Sequence, residues 1–76
     1  MKLRPLTAKK VIKTLTKIGF VITRRKGSHV ILNHPDGRLI VVPEHKGEEL
    51  GKGLLLKIIN DSKLSKEEFF KLTKQS

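Results

Sequence analysis

The chain has 76 residues and no cysteine, which excludes disulfide staples and thiolate metal sites and leaves room for one thin core. Seventeen Lys and Arg stand against seven Asp and Glu, a net charge of +10, and 37% of the residues are hydrophobic. So much positive charge on so short a chain repels itself and points to an anionic partner: nucleic acid first, then an acidic protein or a membrane surface.

In chain order, Thr7 is placed to cap a helix that starts at Ala8. Ala8, Val11, Ile12, Leu15 and Ile18 recur at three- and four-residue spacing, the apolar stripe of an amphipathic helix. Lys9, Lys13 and Lys17 follow one another at four-residue steps with Lys10 beside them, a basic stripe off the apolar face. Gly19 supplies the stop. Phe20 to Arg25 favours β structure, and simple alternation sends Phe20 and Ile22 toward the helix, Val21 and Thr23 to the other side. Lys26-Gly27-Ser28 reads as a tight turn and His29 to Asn33 as a second strand. His34-Pro35-Asp36-Gly37 is the next turn, and Leu39 to Val42 a third strand stopped at Pro43. Residues 44–53 carry three glycines and no apolar period, so they read as a loop. Leu54 to Asp61 reads as a second helix, with Leu54, Leu55, Ile58 and Ile59 on one face. Ser65 and Glu68 fit a capping box, Leu64 and Phe69 a hydrophobic staple; a short last helix runs to about Lys74 and packs Phe69 and Leu72.

The order α-β-β-β-α, with short connections and a small terminal helix, predicts one α+β domain over residues 1–76. A three-stranded antiparallel sheet would carry its helices on one face and leave the other open. No stretch approaches the roughly 20 apolar residues of a membrane span. Met1 to Lys17 holds no continuous apolar run of the secretory kind, so the expected location is cytoplasmic, with no membrane partner.

The charge is lopsided. Residues 1–38 hold ten Lys and Arg and one acid, residues 39–76 seven Lys and six acids, so the anion-facing surface belongs to the first half. The chemistry-bearing inventory is short: no Cys, no Tyr, three histidines and seven carboxylates. No pattern matches metal-ligand spacing, so neither a metal nor another cofactor is expected. Cleaving RNA by internal attack of the 2′-hydroxyl needs a proton-transferring group active near neutrality and cations for the extra phosphorane charge. His29 offers the first; Arg24, Arg25 and Lys26 the second, with Gly27 and Ser28 letting backbone approach a phosphate. An ordinary strand histidine after an ordinary turn is the competing reading. His45, just past the third strand, can reach the same end of the sheet, as a second acid–base group or a surface residue. His34, beside Pro35, reads as structural. Gly51-Lys52-Gly53 lacks the spacing of a P-loop and reads as a flexible entry to a helix. With Phe20, Phe69 and Phe70 on apolar faces there is no stacking platform for single-stranded bases, so recognition of shape and phosphate charge, as on double-stranded RNA, fits better.

Taken in order, Gly19-Phe20, Arg24-x-x-Gly27-Ser28-His29, Pro35-Asp36-Gly37-Arg38, Val42-Pro43-x-His45, Glu49-Leu50-Gly51-x-Gly53 and Leu54 to Ile59 resemble the HicA, or YcfA-like, toxin family. The resemblance runs from Thr7 to about Phe70, and it is the ordered set that is specific. It implies a fold like the double-stranded RNA-binding domain. It also implies the toxin of a type II toxin–antitoxin module: an endoribonuclease that cleaves mRNA, arrests translation and is neutralised by a HicB antitoxin. The family's essential histidine falls on His29. In that reading Arg24, Arg25, Lys26, Gly27, Ser28 and His45 surround the phosphate, and Lys9, Lys10 and Lys13, with Lys17, contact the RNA backbone farther out. The toxin alone would be monomeric and larger when bound to its antitoxin. The rival readings are a double-stranded RNA-binding module without chemistry and a basic element that only binds an acidic protein.

Overall fold

The computed structural model describes residues 4–75. The elements are α1 (Ala8–Lys17), β1 (Val21–Lys26), β2 (His29–Asn33), β3 (Leu39–Pro43), α2 (Lys52–Asp61) and α3 (Lys66–Thr73). This is the expected α+β order, with a three-stranded antiparallel sheet ordered β1-β2-β3. The sequence reading of Met1 to Lys17 touches residues 1–3, which lie outside the described residues. No helix among the described residues is long and apolar enough to cross a membrane.

Thr7 caps α1: its hydroxyl accepts the Lys10 N–H at 3.3 Å. The apolar stripe turns inward, burying Ala8, Val11, Ile12 and Leu15 and half-burying Ile18. The helix ends in a Schellman closure. Gly19 (φ +101°) donates to the Thr16 carbonyl at 3.2 Å, and Phe20 to that of Leu15 at 3.1 Å. Phe20 is thereby driven into the core before β1 begins.

Val30 and Leu32 of β2 and Ile40 and Val42 of β3 form the buried side of the sheet. They meet α1, Leu55, Ile58 and Ile59 of α2, and Phe69 and Phe70 of α3 in one cluster. Burying such side chains stabilises by about 1.5–3 kcal/mol each. The opposite side carries exposed Val21, Leu39 and Val41. Ile22 stands opposite buried Leu32, as alternation predicts, yet stays 36% exposed because β1 is a free edge of the sheet. Between Ile22 and Arg24 the register slips, leaving Thr23 as the extra residue of a β-bulge.

Several boundaries differ from the sequence reading: β1 runs Val21–Lys26 rather than Phe20 to Arg25, β3 takes in Pro43, and both later helices shift. α2 starts at Lys52 rather than Leu54 because Gly51 takes the cap position and its carbonyl accepts the Leu55 N–H at 2.9 Å. A polar residue and a glycine give that first turn no apolar period to read. α3 stops at Thr73, with the capping box as expected: Glu68 N–H to Ser65 Oγ at 3.1 Å and Ser65 N–H to Glu68 Oε1 at 2.9 Å. It buries Phe69, Phe70 and Thr73, whereas Leu72 is only half-buried.

His34 joins these pieces. Its Nε2 lies 2.9 Å from the Ile18 carbonyl at the end of α1, which sets Nε2–H as the donor. Its Nδ1 then accepts the Asp36 N–H at 3.2 Å, and its ring packs edge-on to Phe20. Asp36 in turn takes both the backbone N–H and the guanidinium of Arg38. Arg38 lies 5.0 Å over the Phe20 ring and donates to the Ser62 carbonyl beyond α2. A Cβ on Gly19 would stand 2.8 Å from His34 Nε2, whereas one on Gly27 (φ +57°) would meet open space. Gly19→Ala should therefore cost about 2–3 kcal/mol and Gly27→Ala about 1 kcal/mol in urea unfolding; equal losses would discredit the His34 contact.

The Arg38 guanidinium, chiefly through its hydrogen bond, holds the Asp36 carboxyl below its ordinary value. A carboxylate depressed by folding stabilises the native state above its unfolded pKa of about 3.9, and that contribution fades as pH falls through the lower folded value. Asp36→Asn should remove this part of the acid limb, visible as a shallower loss of stability in urea titrations from pH 5 downward.

Candidate nucleic-acid interface

His29 opens β2, opposite Lys26 on β1 and Pro43 on β3. The two strands are joined by Gly27-Ser28 alone, with Gly27 taking the positive φ that the first position of such a two-residue hairpin favours. The imidazole is exposed, and it makes no hydrogen bond or ion pair with any described residue. Its two ring nitrogens face outward without a protein partner among the described residues. It stands at the lip of a groove of about 340 Å³ between β3 (Leu39, Ile40, Val41, Pro43) and α2 (Leu54, Lys57, Ile58, Asp61).

The bulge decides which cations accompany it. Arg24 is opposite Ile31, and Lys26 opposite His29, so both lie on the open side of the sheet with the imidazole. Arg25, opposite buried Val30, projects to the helix side. There it joins Lys9, Ile12, Lys13 and Thr16 of α1 around a second groove of about 510 Å³. The triplet that looks continuous in sequence is thus split between two faces. Arg25 Nη1 is 2.8 Å from Glu44 Oε1. The Glu44 backbone N–H donates to the Ser28 carbonyl at 2.6 Å, tying the segment after β3 to the turn before His29.

His45 is therefore at the same end of the sheet as His29. It lines a different groove, of about 400 Å³, with Thr7, Ala8 and Lys9 at the start of α1 and with Glu44, Lys46 and Gly47. The lysine stripe also divides. Lys9 and Lys13 border the Arg25 groove. Lys10 is half-buried. Lys17 turns to α3, where Nζ donates to the Leu72 carbonyl at 2.9 Å, a cation at a helix C-terminus. Partial desolvation, then the neighbouring Lys10 and Lys13, hold the Lys17 ammonium below its ordinary pKa.

Two features escaped the sequence reading. Glu44 sits among the basic residues as their counter-charge; its only sequence signal is an acid directly after the strand-ending Pro43. Lys57 and Asp61, paired at 2.8 Å, line the His29 groove from α2; their four-residue spacing was the available clue. Of the Gly51-Lys52-Gly53 turn, Lys52 lines a groove with Arg4, Pro5, Leu50 and Leu55, and none of the three lines the groove at His29. Among the described residues no three His, Asp or Glu side chains are grouped to hold a metal ion.

A family model described as "HicA toxin of bacterial toxin-antitoxin" matches residues 8–64. A search of curated proteins found no match. The matched span runs from the first residue of α1 past the end of α2, and so contains the whole sheet and every groove wall that touches His29.

An exposed ring without intramolecular partners has little to lose on truncation. His29→Ala should leave the stability within about 0.5 kcal/mol of the parent in urea unfolding. A larger loss would make His29 a structural residue.

Proposed function

The chain belongs to the HicA toxin family of bacterial toxin–antitoxin systems, and from that premise we propose that it is an endoribonuclease of a type II module. In this reading it cleaves mRNA without a metal ion in the cytoplasm, arrests translation, and is neutralised by a HicB antitoxin. The observation that carries the reading is the placement of His29: exposed, free of internal partners, and on the same side of the sheet as Arg24 and Lys26.

The chemistry follows from that placement. RNA carries its own nucleophile, the 2′-hydroxyl beside each phosphodiester. His29 removes its proton as the 2′-oxygen bonds to phosphorus, and the bond from phosphorus to the 5′-oxygen breaks. The products are a 2′,3′-cyclic phosphate and a 5′-hydroxyl, the latter taking up a proton. Arg24 and Lys26 stabilise the doubly charged phosphorane, and the Gly27-Ser28 turn lets the backbone come close. Lys9, Lys13 and Arg25, on the neighbouring face, hold phosphates farther along the strand, with Lys10 at their margin and His45 at the same end of the sheet. An antitoxin that sits on the His29 face blocks this surface, so charge reversal at Arg24 weakens both RNA and antitoxin binding.

Purified protein incubated with RNA in excess EDTA should cleave it, and His29→Ala should lower the rate at least ~100-fold while RNA binding persists. RNA that stays bound and whole with the parent protein would replace this reading by a double-stranded RNA-binding module. Equal cleavage by both proteins would move the catalytic role away from His29.

A further inference from the structure

The groove between α1 and β1 is lined by Lys9, Lys13 and Arg25, and among the described residues that line it the only acid is Glu44. We infer that Glu44 is a built-in counter-ion which occupies the place of a phosphate on Arg25, so that RNA binds this groove by displacing a carboxylate of the protein itself. The inference rests on the RNA-binding part of the function proposed above.

Geometry makes the exchange feasible. The Arg25–Glu44 contact is short, 2.8 Å, but through one guanidinium nitrogen only, and the side chains are 57% and 31% exposed. An ion pair so open to water is weak. A phosphodiester offers the same guanidinium a two-pronged match and so competes well with a single carboxylate oxygen. Glu44 can release Arg25 without moving its main chain, because its N–H is anchored independently on the Ser28 carbonyl. The released carboxylate stays beside the groove and repels the incoming phosphate. Binding therefore discriminates by valency. A lone phosphate gains one groove and meets that repulsion, whereas an RNA strand that also engages Arg24 and Lys26 outweighs it.

The test uses the full 76-residue chain and a fully 2′-O-methylated RNA hairpin, which lacks the attacking hydroxyl, so binding is read without cleavage. Titrations by fluorescence anisotropy at about 0.1 M salt should show Glu44→Gln binding about two- to fivefold more tightly than the parent. Arg25→Ala should bind more weakly, and in that background Glu44→Gln should gain less than half as much, since the two charges act on each other. Unchanged or weaker binding by Glu44→Gln overturns the inference and makes Glu44 a support for Arg25. A parent protein that fails to bind the hairpin at all overturns the RNA reading beneath it as well.

Discussion

The fold depends on how the chain leaves α1. At Gly19 there is no Cβ, and His34 fills the vacancy, with its Nε2 on the carbonyl of Ile18, the residue that caps the helix, and its ring on Phe20. A helix end, the start of the sheet and the β2–β3 turn are thereby fixed by one imidazole. Through Asp36 the same turn positions Arg38, which covers the Phe20 ring and reaches the chain after α2. In a molecule with so small a core, these polar contacts set the angles at which its few apolar faces meet. They also assign a role to Pro35-Asp36-Gly37-Arg38. That motif belongs to the architecture, at the opposite end of β2 from His29.

The main-chain course was largely legible from the amino acids. The stripe from Ala8 to Ile18, the Thr7 cap, the Gly19 stop, the turn at Pro35 to Gly37 and the Ser65–Glu68 box each rest on local chemistry, and each is found where local chemistry puts it. Misjudged features depend on neighbours distant in sequence. Which residues α3 buries is decided by α1, so Thr73 goes inside with Phe69 and Phe70 while Leu72, whose carbonyl receives Lys17, stays half out. The first turn of α2 has no apolar residue until Leu54 and so carries no periodic signal.

The candidate interface was legible in its inventory and not in its arrangement. His29, Arg24 and Lys26 could be nominated from type and spacing. That Arg25 parts company with them could not, because strict alternation from Val21 places Arg25 on the open side and its two neighbours on the helix side. One extra residue at Thr23 reverses the assignment for everything after it. Nothing in the residue types at Ile22-Thr23-Arg24 announces a bulge. It is compensated across the strands, where the Thr23 hydroxyl donates to Asn33 Oδ1 at 2.6 Å. Glu44 was overlooked for the same kind of reason: its partner is nineteen positions away, and only the antiparallel register brings them together.

β1 has one more property. It is an edge strand, exposed along its whole length, with backbone donors and acceptors on its outer rim that no neighbouring strand satisfies. Such an edge invites a strand from another molecule, and proteins commonly discourage this with bulges and cations. Here the deterrents are the Thr23 bulge and Arg24, Arg25 and Lys26. The cations of the candidate interface thus also guard the edge of the sheet. A partner that neutralises them without covering the rim leaves the strand only its bulge as protection against aggregation. A partner that covers both the face and the edge of the sheet leaves no such opening.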